Sequence, residues 1–126
     1  MLALPAGQLL ESFASGTGTI LGRTARLLEL GELAADQDND LASLRDRGHA
    51  NMRADFHEIA TELSHKNALA PGLSIQHTAD TIYALANHDV YLRLTRECRW
   101  TPNRYTTWLA TTLQATLLAP PRRALP

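Results

Sequence analysis

The stretch Asp89–Leu118, DVYLRLTRECRWTPNRYTTWLATTLQATLL, is the one whose reading decides the fold. It holds both tryptophans and two of the three tyrosines of the chain. Thr101 is placed to cap a helix, and Pro102 to occupy its first position, where a missing N–H costs nothing. From Tyr105 onward, Trp108, Leu109, Thr112 and Thr116 return at helical spacing, with Leu113 on the shoulder. Such a face is aromatic at one end and small at the other. A single helix cannot bury it alone, so the spacing predicts packing against further helices.

Upstream, Asn87–His88–Asp89 reads as a boundary, because Asp89 would fall mid-face if the preceding helix ran straight on. Asn87 or Asp89 then caps a short helix from Val90 to Cys98, with Val90, Tyr91 and Leu94 as its apolar contacts. The preceding helix starts at Ser74 and gathers Ile75, Thr78, Ala79, Ile82, Leu85 and Ala86 on one face, with Tyr83 at the flank. A longer helix runs from about Leu41 to Asn67, where Leu41, Leu44, Gly48, Met52, Phe56, Ile59 and Leu63 line up over roughly six turns. The Ala70–Pro71–Gly72 turn follows it, and Asp38 or Asp40 caps its start. The first helix spans about Gln8–Ala35, with Leu9, Phe13, Ile20, Leu27 and Ala34 near a heptad and Leu10, Leu21, Leu28 and Leu30 widening the stripe. Ser15–Gly16–Thr17–Gly18 and Gly22 predict a break or bend within it, since each interior glycine costs about 1 kcal/mol relative to alanine. Strand-length alternation of β-branched residues is absent. The expected architecture is all-α: an antiparallel bundle of about four to six helices in one domain over 1–118, followed by a disordered tail over 119–126.

A length of 126 residues fits one domain with a real core, and 44% apolar against 20% charged residues reads as globular. A net charge of −1 offers no whole-chain field for nucleic acid, and Arg45, Arg47 and Arg53 are interleaved with Asp46, Asp55 and Glu58 as on a solvated helix face. Cys98 is the only cysteine, which excludes an intrachain disulfide framework and fits a reducing, cytoplasmic setting. The opening MLALPAGQLLESF lacks a basic segment and is interrupted by Pro5, Gln8 and Glu11, so neither a signal peptide nor a membrane span is expected.

The candidate chemical motifs fail one by one. A GxGxxG loop would need glycine at Leu21, and a phosphate-binding Walker loop would need lysine at Arg23. The acids of Asp36–Asp40 resemble a calcium loop, but Leu41 stands at the turn glycine and Arg47 at the bidentate glutamate. His49, His57 and His65 recur every eight residues, which rotates about 80° and climbs about 12 Å per step, too far for one metal ion. No nucleophile, base and orienting group fall together, so neither an enzyme nor a cofactor or metal site is expected. Arg45 inside the apolar stripe and His49 at its edge are the exceptions of interest. A polar group on a core face needs a partner, which can be structural, a water or a ligand.

The runs Ala79-Asp-Thr-Ile-Tyr-Ala-Leu85, Asp89-Val-Tyr-Leu-Arg-Leu94 and Arg99-Trp-Thr-Pro-Asn-Arg-Tyr-Thr-Thr-Trp-Leu109, after an Arg-rich helix closing in Ala68-Leu-Ala-Pro-Gly-Leu73, form a pattern that resembles a known family. It is similar to the C-terminal regulatory domain of TetR-type (tetracycline-repressor-like) transcriptional regulators, over roughly Ala35–Leu118. The resemblance implies a ligand pocket between long helices and a homodimer through a four-helix bundle of late helices. Carried onto this chain, Met52, Phe56, Ile59 and Tyr83 would line the pocket, with Arg45 or His49 as polar contacts to a small, mostly apolar effector. Ile82 and Ala86 on one helix, and Leu109, Thr112, Leu113 and Thr116 on the last, would form the dimer face. No segment before Ala35 reads as the helix-turn-helix of that family, so DNA contact is expected only through a domain absent from this chain. The alternative is a stand-alone helical interaction protein that homodimerises or pairs with a regulator.

Overall fold

Two long helices make the frame, and three shorter ones brace one half of it. The computed structural model describes residues 1–120. Helix α1 spans Ala6–Ala35, α2 Asn39–His65, α3 Ile75–Leu85, α4 His88–Leu92 and α5 Pro102–Leu117. Helix α4 widens at its end into a π-helical turn over Arg93–Glu97. The protein is an all-α helical bundle. Among the described residues no helix is long and apolar enough to cross a membrane.

The helix starts follow local chemistry. Asp38 is the residue that caps α2, its carboxylate accepting from the N–H groups of Asp40 at 2.8 Å and Leu41 at 3.1 Å. Ser74 accepts from His77 N–H at 3.0 Å to open α3, and Thr101 accepts from Arg104 N–H at 3.1 Å to open α5, with Pro102 in its first turn. Asn87 makes no side-chain cap bond, whereas Asp89 accepts from Val90 N–H at 2.9 Å. Gly72 carries a φ of 85°, which a residue with a Cβ adopts only under strain.

The expected break in α1 does not occur: the helix runs unbroken for 30 residues. Tertiary packing decides this. Helix α5 lies antiparallel along the first half of α1, with Gln114 Nε2 donating to the Gly7 carbonyl at 2.9 Å and Thr106 pressed on Gly18. The absent side chain at Gly18 is what lets the two backbones approach, so this glycine serves a contact rather than a bend.

That contact also corrects the expected dimer face. Ile82, Leu109 and Leu113 are wholly buried and Ala86 nearly so, all within one chain. They belong to a core shared with Leu9, Leu10, Phe13 and Leu21 of α1 and with Phe56, Ile59 and Leu63 of α2. The buried face of α5 is Tyr105, Leu109, Leu113 and Leu117, while Thr112 is half-buried and Thr116 exposed. The partner that the last helix needs is α1 of the same molecule.

Tyr105 ties three segments together. Its ring stacks edge-on to Tyr91 at 5.0 Å, and its hydroxyl donates to the Leu85 carbonyl at 2.9 Å, satisfying an acceptor that the end of α3 leaves without an intrahelical donor. Burial pushes the phenol pKa upward, so stability is present below the ordinary tyrosine pKa of about 10 and falls as the pH rises past it. Tyr105→Phe orphans the Leu85 carbonyl and is expected to cost about 1–2 kcal/mol, measured by urea denaturation, and to remove part of that alkaline loss.

Past α5, Ala119 N–H donates to the Ala68 carbonyl at 2.8 Å and Ala70 N–H to the Leu117 carbonyl at 2.8 Å, pinning the chain to the loop after α2. The rest of the expected disordered tail, 121–126, lies outside the described residues.

Candidate functional site: an apolar trough between α1 and α2

Because α5 and α4 pack on one side of α1, another side stays open along α2. Two adjoining grooves occupy it. The larger holds about 540 Å³ and is lined by Phe13, Gly16, Ile20 and Leu21 of α1 and by Asp55, Phe56 and Ile59 of α2. The smaller holds about 300 Å³ and is lined by Leu27, Gly31 and Glu32 of α1, by Leu44, Arg45, Gly48 and His49 of α2, and by Tyr83. Leu28 and Met52 border both, so they mark the joint.

The six residues expected to touch a ligand are brought to this trough. Arg45, His49 and Tyr83 stand in the smaller groove, Phe56 and Ile59 in the larger, and Met52 in both. Phe56 and Ile59 are buried and act as floor, whereas Arg45, His49, Met52 and Tyr83 are part-exposed and line the walls. The aromatic floor continues inward, with Phe13 edge-on to Phe56 at 5.5 Å and Phe56 6.3 Å from Tyr83.

The polar end of the trough has structural partners. His49 Nε2 lies 2.6 Å from Glu32 Oε1, a bond between α1 and α2. Arg45 donates through Nε to Asp46 at 3.3 Å and through Nη1 to Asp36 at 3.3 Å, with Glu32 3.9 Å away. Its guanidinium pKa is raised above the ordinary value by the hydrogen bond to Asp46 and by the charges of Asp46, Glu32 and Asp36. Three carboxylates thus stand around one guanidinium and one imidazole, which leaves this end with more negative than positive charge.

Sequence reasoning missed Glu32, Leu27, Gly31 and Ile20 as wall residues. The signal was present in the extra leucines of the first helix, but Glu32 and His49 are 17 positions apart, and no helical spacing relates them. Gly16, Gly31 and Gly48 also line the trough, and a Cβ added at any of them would meet nothing within 4 Å. Each weakens its helix by about 1 kcal/mol relative to alanine without serving a contact inside the chain.

No family model, curated protein or solved structure matches this chain.

Proposed function

We propose that the chain is the effector-sensing and dimerisation module of a TetR-like transcriptional regulator, binding a small, mostly apolar molecule in the α1–α2 trough. The observation that carries this reading is the trough itself. Grooves of about 540 and 300 Å³, apolar along their length and polar at one end, have the size and chemistry of small-molecule sites. Glu32 in the groove wall, with Asp36 and Asp46 outside the groove already neutralising Arg45, disfavours a carboxylate or phosphate and favours a neutral or cationic head group. In a full-length regulator, an effector that favours one spacing of α1 and α2 would shift the population toward it.

The test is a thermal-shift panel of apolar compounds with cationic, neutral and anionic heads. A ligand at about 100 times its Kd is expected to stabilise by about 2.7 kcal/mol, with cationic or neutral members ranking above anionic ones. Met52→Trp fills the joint between the grooves from a part-exposed position, so it is expected to abolish the shift while the far-UV circular dichroism stays helical. A panel without any shift, or a Met52→Trp variant that responds like the parent, sinks the sensor reading.

A further inference from the structure

Exposed apolar side chains converge on the trough from both long helices. Ile20, Leu27 and Leu28 of α1 and Leu41 and Leu44 of α2 are between 38% and 69% exposed, and all line one groove or both. Apolar area gathered in this way marks a surface that a ligand or partner covers. The two grooves differ in what they offer that occupant. In the larger, the only charged side chains are Asp55 and Glu58, both exposed and screened by solvent. The smaller holds a single carboxylate, Glu32, and it is half-buried.

Glu32 has room for one more donor. Its Oε1 is bonded to His49, while Oε2 makes no hydrogen bond among the described residues. Arg45 lies 3.9 Å from Oε2 but directs its bonds to Asp36 and Asp46, each at 3.3 Å. A cationic N–H donor therefore complements this oxygen, and a charge-assisted bond of that kind is among the stronger ones available to a ligand.

The shape of the occupant follows from where the two grooves meet. They share only Leu28 and Met52, so a ligand that uses both must be narrow there. A compact molecule would have either the carboxylate or the larger apolar surface, but not both. Met52 is unbranched and can give way to a chain laid against it. Along α1, Gly16 of the larger groove lies about 24 Å from Glu32 at 1.5 Å per residue. An extended alkyl chain advances about 1.3 Å per carbon, from bonds of about 1.5 Å, so roughly sixteen to eighteen carbons match that span.

We infer that the occupant of the trough is a single-chain amphiphile with an ammonium head. The head donates to Glu32 Oε2, and the alkyl chain passes Met52 into the larger groove. This rests on the sensor reading above and gives it a ligand class. It also gives a use to Gly31 and Gly48 beside the head and Gly16 toward the end of the tail, where side chains would take up the room the ligand needs.

Titration calorimetry with n-alkylammonium chlorides from octyl to hexadecyl, each below its micellar concentration, tests this. Affinity is expected to rise about two- to fourfold per methylene along the whole series. Decylammonium is expected to bind about tenfold tighter than decanol. Glu32→Gln is expected to remove that preference, since its amide oxygen still faces His49 but carries no charge; a purely structural role would weaken both ligands alike. Gly48→Phe and Gly16→Phe, at sites where a Cβ meets nothing within 4 Å, are each expected to weaken hexadecylammonium about tenfold with helicity retained. A series that levels off at octyl, or a Gly16→Phe variant that binds hexadecylammonium like the parent, overturns the inference by taking the chain out of the larger groove. So does a Glu32→Gln variant that still prefers decylammonium, or a parent protein that binds decyl sulfate equally well. Compact cations that stabilise the fold where alkylammoniums do not would overturn this inference and leave the sensor reading standing. Silence from every compound would sink both.

Discussion

Leu113→Ala is expected to cost about 2–5 kcal/mol, the range for removing a fully buried leucine and leaving a partly collapsed cavity. The position matters because a face awaiting a second subunit predicts a different result. Were Leu113 a subunit contact, its truncation would weaken association and spare the folded chain. Leu113 is instead wholly buried on the face of α5 that packs along α1. The loss is therefore intramolecular. Urea denaturation at several protein concentrations is expected to give the same reduction in stability each time, because only linked association makes apparent stability depend on concentration. A loss that shrinks as the protein is concentrated would return Leu113 to an interface.

Gly18→Val is expected to destabilise by about 3 kcal/mol and to lower the melting temperature by roughly 10 °C. A Cβ at this position would land on the Thr106 hydroxyl oxygen, well inside contact distance, with Thr106 Cβ only 3.4 Å away. The Gln114–Gly7 hydrogen bond ties α5 to α1 on one side of the crossing, and the edge-on Tyr91–Tyr105 pair holds α5 to α4 on the other, so α5 cannot simply move away. Gly18→Ala gives a test of sign. Helix propensity alone predicts a gain of about 1 kcal/mol, while the crossing predicts a loss. Gly16→Ala, where a Cβ meets nothing within 4 Å, is the control expected to gain stability. Thr106→Ala combined with Gly18→Ala is expected to recover most of the loss, a coupling that a double-mutant cycle measures directly. If Gly18→Ala and Gly16→Ala stabilise equally, the close crossing of α1 and α5 is wrong.

The two glycines show where sequence reading stops. Both sit in one helix and look alike as helix weakeners, yet one lies under Thr106 and the other opens onto a groove. That difference is set by residues about 90 positions away in the chain. The trough shows the same division. Met52, Phe56 and Ile59 were legible as one stripe of α2 because helical periodicity places them together. Glu32 was not, because its bond to His49 exists only once α1 folds back along α2.

By itself the sequence determined the all-α class, the start of the last helix at Thr101–Pro102, the cap at Ser74, a cap for α2 at Asp38 or Asp40, and the apolar stripes of the long helices. These are local properties, governed by backbone donors within one turn and by a 3.6-residue repeat. Only the tertiary structure decided which stripe meets which. It gave Leu109, Leu113 and Ile82 to the core of one molecule, made Gly18 a crossing point, and left the trough and the Leu27–Leu33 face open. Periodicity states that a face is apolar, whereas its partner depends on helix lengths and on the order in which the faces are covered. Here α5 is 16 residues and α1 is 30, and that mismatch leaves the far end of α1 without cover from α5.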